Sequence, residues 1–225
     1  MRIPEFNESI SVKEAREIQE KLRKEVITVD SYSKPIKNLL AMDVSYLKAG
    51  DELGAIALLY SYPELNLLEE SFVRKKSTFP YIPGLLAFRE LPPLLEAMKG
   101  IKSEIDILLV EGQGIAHPRR FGIASHLGVL LDTPSIGCAK SLLWGKHSGV
   151  EKGKGSYAYI LDQEEIIGVA LRTREGARPI YVSQGHKVSL DTAGEIVLSL
   201  VKTYRLPEPL RSAHIKSKLM MTGMV

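Results

Sequence analysis

Ile105-Asp106-Ile107-Leu108-Leu109-Val110, followed at once by Glu111-Gly112-Gln113-Gly114, is the stretch that decides the fold. Its unbroken apolar run predicts a central strand covered on both faces, because a half-exposed strand would alternate polar and apolar residues. The run ends in an acid and a Gly-x-Gly turn, and open α/β sheets hold their ligands at the carboxyl ends of strands. Working outward, Ser135 to Ala139 reads as a second buried strand and residues 124 to 131 as a helix between the two, an α/β crossover unit.

Upstream, Asn38 to Tyr46, Leu53 to Tyr62 and Leu65 to Lys75 are β-rich runs parted by Lys48-Ala49-Gly50-Asp51 and by Pro63-Glu64, which predicts an antiparallel meander. Ser11-Val12-Lys13-Glu14 fits a capping box, and Ala15, Ile18 and Leu22 follow at helical spacing in a helix ending near Val26. A helix from about Leu85 to Met98 leads into the central strand. Further strands are predicted at 156 to 161, 165 to 172 and 179 to 183, and helices after Ser189 through Val201 and from about Pro209 to Met221. Lys152-Gly153-Lys154-Gly155 reads as a surface loop. This order alone gives a mixed α/β domain.

The 225 residues suit one domain, 1–225, since single cores stop growing only near 250 to 300 residues. A net charge of +3 permits phosphate contact but lacks the dense basic stripe of an architectural DNA binder. The single cysteine, Cys138, excludes an intramolecular disulfide and a cysteine-based zinc site, and it sits in an apolar run that predicts burial. No segment approaches 18 uninterrupted apolar residues, and Met1 to Ser11 carry no run of signal-peptide length. A cytoplasmic monomer with no membrane partner is expected.

Asp43 interrupts the apolar run Leu39-Leu40-Ala41-Met42-Asp43-Val44, where an unpaired charge is costly; it is a metal ligand or a partly exposed strand acid. Glu111 stands at a strand end. Glu90 is a second acid of the site or an ordinary solvated helix residue, and Lys140 a phosphate contact or a surface lysine. Acids converging on one pocket would suit phosphodiester cleavage, in which carboxylates hold one or two Mg²⁺ ions. In Pro80-Tyr81-Ile82-Pro83-Gly84, two prolines fix the backbone and present Tyr81 and Ile82 on a stiff projection. Tyr81 is either an apolar wedge or a ring packed under a loop. The Arg119-Arg120 pair is a reasonable phosphate clamp. Among the unassigned histidines, His126, His147 and His186, the last is best placed for a phosphate.

Pro80-Tyr81-Ile82-Pro83 closely resembles the Pro-Tyr-Ile-Pro segment of the endonuclease V family, nucleases that nick nucleic acid beside deaminated bases, above all inosine. Glu111 to Arg120, Ile136 to Ser141 and Val182 to His186 resemble three further signatures, in the family's order. The resemblance implies a ribonuclease H-like mixed sheet, an antiparallel three-strand meander plus parallel strands, flanked by helices. It implies a Mg²⁺ site, in which Mn²⁺ can substitute, built from Asp43, Glu90 and Glu111, with His214 as a further active-site group and Lys140 on the phosphate. Tyr81 in its tetrapeptide becomes the strand-separating wedge. Leu86, His117 and Leu143 should line the pocket for the extruded base. Gly84, Gly112 and Gly114, read from the residues alone, either let a base edge approach the main chain or are plain turn glycines. The implied partner is DNA containing deaminated bases, or inosine-containing RNA.

One position departs from the family's pattern. Glu111 stands where the signature carries Asp, and the added methylene moves the carboxylate by roughly 1.5 Å, one carbon–carbon bond. Two function classes therefore stand open. One is a metal-dependent endonuclease cutting the second phosphodiester bond 3′ to the altered base, leaving 3′-hydroxyl and 5′-phosphate ends. The other is a module that binds inosine-containing nucleic acid with catalysis impaired at Glu111.

Overall fold

The structure is a computed structural model describing residues 3–32, 35–46 and 51–223. Eight strands form one sheet: β1 (Asn38–Tyr46), β2 (Glu52–Ser61), β3 (Leu67–Lys76), β4 (Ile107–Glu111), β5 (Ser135–Ala139), β6 (Tyr157–Asp162), β7 (Glu165–Leu171) and β8 (Ile180–His186). Their spatial order is β3-β2-β1-β4-β5-β8-β7-β6. The β1–β4 and β4–β5 pairs are parallel and the other pairings are antiparallel, so the meander β1-β2-β3 stands beside the parallel strands as expected. The predicted Lys48–Gly50 turn lies outside the described residues.

Among the described residues, five α-helices flank the sheet: α1 (Val12–Leu22), α2 (Leu86–Met98), α3 (Ile123–Leu131), α4 (Leu190–Ser199) and α5 (Glu208–Thr222). Both faces of the central strands are covered, which explains their unbroken apolar runs. Leu40, Met42, Leu108 and Val110 pack with Leu91 and Leu94 of α2 and Leu127 of α3. Leu39, Ala41, Ile107 and Leu109 pack on the opposite face with Val197 of α4 and Leu210 and Ala213 of α5. The Ser11 capping box is present, and α1 ends at Leu22 before a short 3₁₀ turn, Arg23–Glu25. Helix α2 runs through Pro92 and Pro93 even though each costs about 3 kcal/mol inside a helix. Burial of 11 of its 13 residues offsets that cost.

β1 and β5 keep the bounds read from sequence. Strand β8 instead continues to His186, because Ser183, Gln184 and His186 pair with β5 in spite of their polar sequence, with Gly185 passed over at a register shift. No helix of the described residues is long and apolar enough to cross a membrane.

Candidate active site

Strand alternation and parallel register bring three groups together. Asp43 continues the Leu39, Ala41 side of β1, Glu111 the Ile107, Leu109 side of β4, and Lys140 the Ile136, Cys138 side of β5. Met42 lies beside Val110 and Glu111 beside Cys138, so the three side chains leave neighbouring strands at their carboxyl ends, about 4.8 Å apart strand to strand. Helix α5 covers this edge. Its inward residues Leu210, Ala213, Ser217 and Met221 anchor it, and His214, next to Ala213, reaches Asp43.

Asp43 is 5% exposed, so its charge must be matched. Oδ2 accepts from His214 Nδ1 at 3.0 Å and from Ser217 Oγ at 3.3 Å, and Ser217 in turn meets Ser45 at 2.6 Å. Lys140 Nζ lies 2.7 Å from Glu111. Burial still pushes the Glu111 carboxyl above its ordinary value, with the Lys140 hydrogen bond opposing the rise and Asp43 adding to it.

Glu90 approaches from the other face of the sheet, on α2. Burial drives its carboxyl up to about 8, the Tyr46 hydroxyl opposing the shift and the charges of Asp43 and Glu111 adding to it. Tyr46, the last residue of β1, donates a hydrogen bond to Glu90 Oε1. Three acids thus share one buried end of the sheet, and in two of them burial and neighbouring charge disfavour ionisation.

Asp43, Glu111 and His214 each offer a ligand atom, and all these atoms lie within 4.8 Å of one another. Two carboxylate oxygens and one imidazole nitrogen, crowded by negative charge, suit an oxygen-preferring divalent cation. Glu90 lines the same cavity but stands outside that group, so it would join a cation only by leaving or sharing Tyr46.

The cavity holds about 470 Å³, and its walls run from these acids to Tyr81, Pro83, Gly84, Leu86, Gly112, His117 and Leu143. Pro80, Ile82 and Gly114 are absent from its walls. Tyr81 is 68% exposed, whereas Ile82 is half-buried and packs near Phe79 and Phe88, so the projection presents the tyrosine and roots the isoleucine. A Cβ on Gly114 would lie 1.9 Å from the Gln184 carbonyl, so this glycine admits β8 and leaves no room for a base edge.

The prolines are only part of what stiffens the turn. Arg89 donates to the Phe79 carbonyl at 2.7 Å at its start. At its end, the Gly84 carbonyl accepts from Gln19 Nε2 at 3.1 Å, from His117 Nε2 at 3.0 Å and from Arg119. His117 Nδ1 accepts from the Arg119 amide, which assigns the ring proton to Nε2. Burial, with Arg119 adding to it, lowers the His117 pKa to about 4, so the ring is neutral at pH 7.

Two sequence readings are corrected here. The Arg119-Arg120 pair is committed within the protein: Arg119 to Gly84 and Gln19, Arg120 to Asp162 and Glu165 at 2.7 Å each. His186 is buried and faces Asp132, paired with Ser135 at the end of β5 opposite Lys140, so it lies away from the cavity. Three residues escaped the sequence reading. Tyr46 and Gln19 gave no local signal, because their partners are 44 and 65 or more residues away. Gln113 was visible only as the variable position of a Gly-x-Gly turn. It lines the cavity, 7% exposed, and its Oε1 has no partner.

The comparisons agree with this architecture. The endonuclease V family model matches residues 20–215. The endonuclease V of Trichormus variabilis is 48% identical over 204 residues, covering 91% of this chain and 92% of that one. The crystal structure of Streptomyces avermitilis endonuclease V superposes with a TM-score of 0.91 at 36% identity, covering 97% of this chain and 96% of that one. Ciona intestinalis endonuclease V, solved with a 24mer DNA containing an inosine followed by a ribo-adenosine, gives a TM-score of 0.83 at 33% identity, covering 95% and 99%. With a family match over most of its length and a cluster of acids at the carboxyl ends of its parallel strands, the chain belongs to the endonuclease V family, enzymes that hydrolyse phosphodiester bonds.

Proposed function

We propose that this protein is a Mg²⁺-dependent endonuclease, active also with Mn²⁺, that nicks DNA or inosine-containing RNA at the second phosphodiester bond 3′ to a deaminated base, chiefly hypoxanthine. One observation carries this reading: the Asp43, Glu111 and His214 group opens into the same cavity that Tyr81, Gly84, His117 and Leu143 line. A cutting centre and a recess that share one cavity suit an enzyme that extrudes a base and cuts beside it. The inosine-containing DNA bound by the Ciona intestinalis relative supports the same substrate class. A cytoplasmic monomer remains the expected form, as one domain.

Each side chain has a part in this reading. When bound, the cation supplies positive charge against the negative charge that develops on the phosphate. Asp43 and Glu111 are its ligands, with Glu90 as a third acid. His214 spends Nδ1 on Asp43, so Nε2 is the ring nitrogen left for a ligand or for the attacking water. Lys140 is placed to hold a phosphate oxygen beside Glu111. Tyr81 fills the gap left by the extruded base, a stacking contact worth about 1 to 3 kcal/mol. Hypoxanthine carries a ring N–H where adenine carries a bare nitrogen, so a pocket that selects it must offer an acceptor there.

The test is cleavage of an end-labelled strand carrying one inosine, beside a matched adenine strand. The reading predicts a nick two bonds 3′ to inosine, with the base still attached and the adenine strand intact. Release of free hypoxanthine, or equal cutting of both strands, would overturn it.

A further inference from the structure

Beside the acidic cavity lies a second cleft of about 760 Å³, where the chain leaves the site along Leu143-Trp144-Gly145-Lys146-His147 and passes the end of β6. Leu143 belongs to both walls, so the cleft continues the first cavity. Trp144 is the chain's single tryptophan and is 42% exposed. Its indole is not free to turn: Nε1–H donates to Asp162 Oδ2 at 2.8 Å, and Arg120 holds the same oxygen at 2.7 Å. Arg120 also pairs with Glu165, so one guanidinium bridges both carboxylates of this rim and offsets one of their two charges.

Lys146 is exposed and, among the described residues, makes no ion pair. Its backbone is fixed by a two-way bridge to Leu161, at 2.8 and 2.7 Å. A pinned aromatic surface with an unpaired cation two residues away offers what one nucleotide needs, a flat face for its base and a charge for its phosphate.

We propose that this cleft is a second nucleotide subsite, which stacks a base flanking the lesion on Trp144 and holds the adjoining phosphate with Lys146. The subsite rests on the reading of the first cavity as the base pocket. Because every base has a π-face, it adds affinity for a strand without reading the flanking sequence.

The single tryptophan makes the test direct. The protein is titrated in EDTA with a dye-labelled single strand carrying one inosine, following strand anisotropy and tryptophan emission together. Emission should be quenched as the strand binds, and the quench should disappear when one flanking nucleotide is replaced by an abasic residue. Trp144→Ala should weaken binding about tenfold and Trp144→Phe should restore most of it. Lys146→Ala should lower the slope of log affinity against log salt by about 0.7. Circular dichroism checks that each variant is folded. A strand that binds and is cut in Mg²⁺, yet leaves emission unchanged and binds Trp144→Ala as tightly as the parent, would overturn the subsite. A strand neither bound nor cut would overturn the functional reading beneath it.

Discussion

Glu111 reaches Lys140 at 2.7 Å and stands in one group with Asp43 and His214, a reach that an aspartate at this strand end would shorten by about 1.5 Å. The longer acid is therefore built into this site, with Lys140 placed to meet it. Glu111→Asp should slow cleavage by about 10- to 100-fold, read in single-turnover assays, because displacements near 1 Å are costly in a catalytic group. Faster cutting by that variant would instead favour the impaired binding module. Tyr46 acts at one remove, on the buried Glu90 carboxyl. Tyr46→Phe should raise the Mg²⁺ concentration for half-maximal rate by about tenfold or more while leaving the rate at saturating Mg²⁺ close to the parent's, since the hydroxyl opposes the rise of the Glu90 carboxyl and so favours the ionised form that the proposed third acid needs to meet a cation. Asp43 and Glu111 were legible in sequence because an acid in or just after an apolar strand is conspicuous. Tyr46 was not, because a tyrosine at a strand end is ordinary until α2 is packed beside it.

At the scale of elements, the Pro80–Gly84 turn is held at both ends, by α2 through Arg89 and by α1 through Gln19. Gln19 is fully buried and satisfies the Gly84 and Phe121 carbonyls and the Arg119 guanidinium at once. Gln19→Ala should cost about 1 to 3 kcal/mol in denaturant unfolding, the range for leaving buried polar partners unpaired. It should also reduce discrimination between inosine and adenine strands, because the turn carries Tyr81 and its carbonyl fixes His117. The turn's stiffness was readable from its prolines, but its clamps were not. The Arg119-Arg120 pair looked solvent-facing in sequence because its partners Gln19, Asp162 and Glu165 lie 42 to 100 residues away. Strands β1 and β5 were legible to the residue, since burial on both faces leaves a pattern that no surface residue interrupts.

For the whole molecule, the mixed sheet with a core on each face confirms the fold implied by the sequence motifs, and it places every acid of the site at one edge. The same packing leaves a titration signature away from that edge. His126 is enclosed by Phe6, Phe88 and Phe121, and burial lowers its pKa from 6.5 to about 3. The unfolded chain therefore binds one proton more than the folded one between those values, so stability is lost as pH falls from 6.5 towards 3. Inside that window the unfolding free energy of the parent should fall more steeply than that of His126→Phe, by about 1.4 kcal/mol per pH unit. Parallel curves from acid to neutral pH would contradict this assignment.

The central claim is that Asp43 and Glu111, with His214 beside them, hold the cation with which the strand is cut, and the most direct test follows Mn²⁺ binding and cleavage in the same samples. Titration calorimetry and an inosine-strand assay would compare the parent with Asp43→Ala and His214→Ala. The account predicts that Asp43→Ala loses Mn²⁺ binding and at least about 100-fold in rate together, and that EDTA silences the parent. Cutting that persists in EDTA, or at the parent's rate in Asp43→Ala, would contradict it.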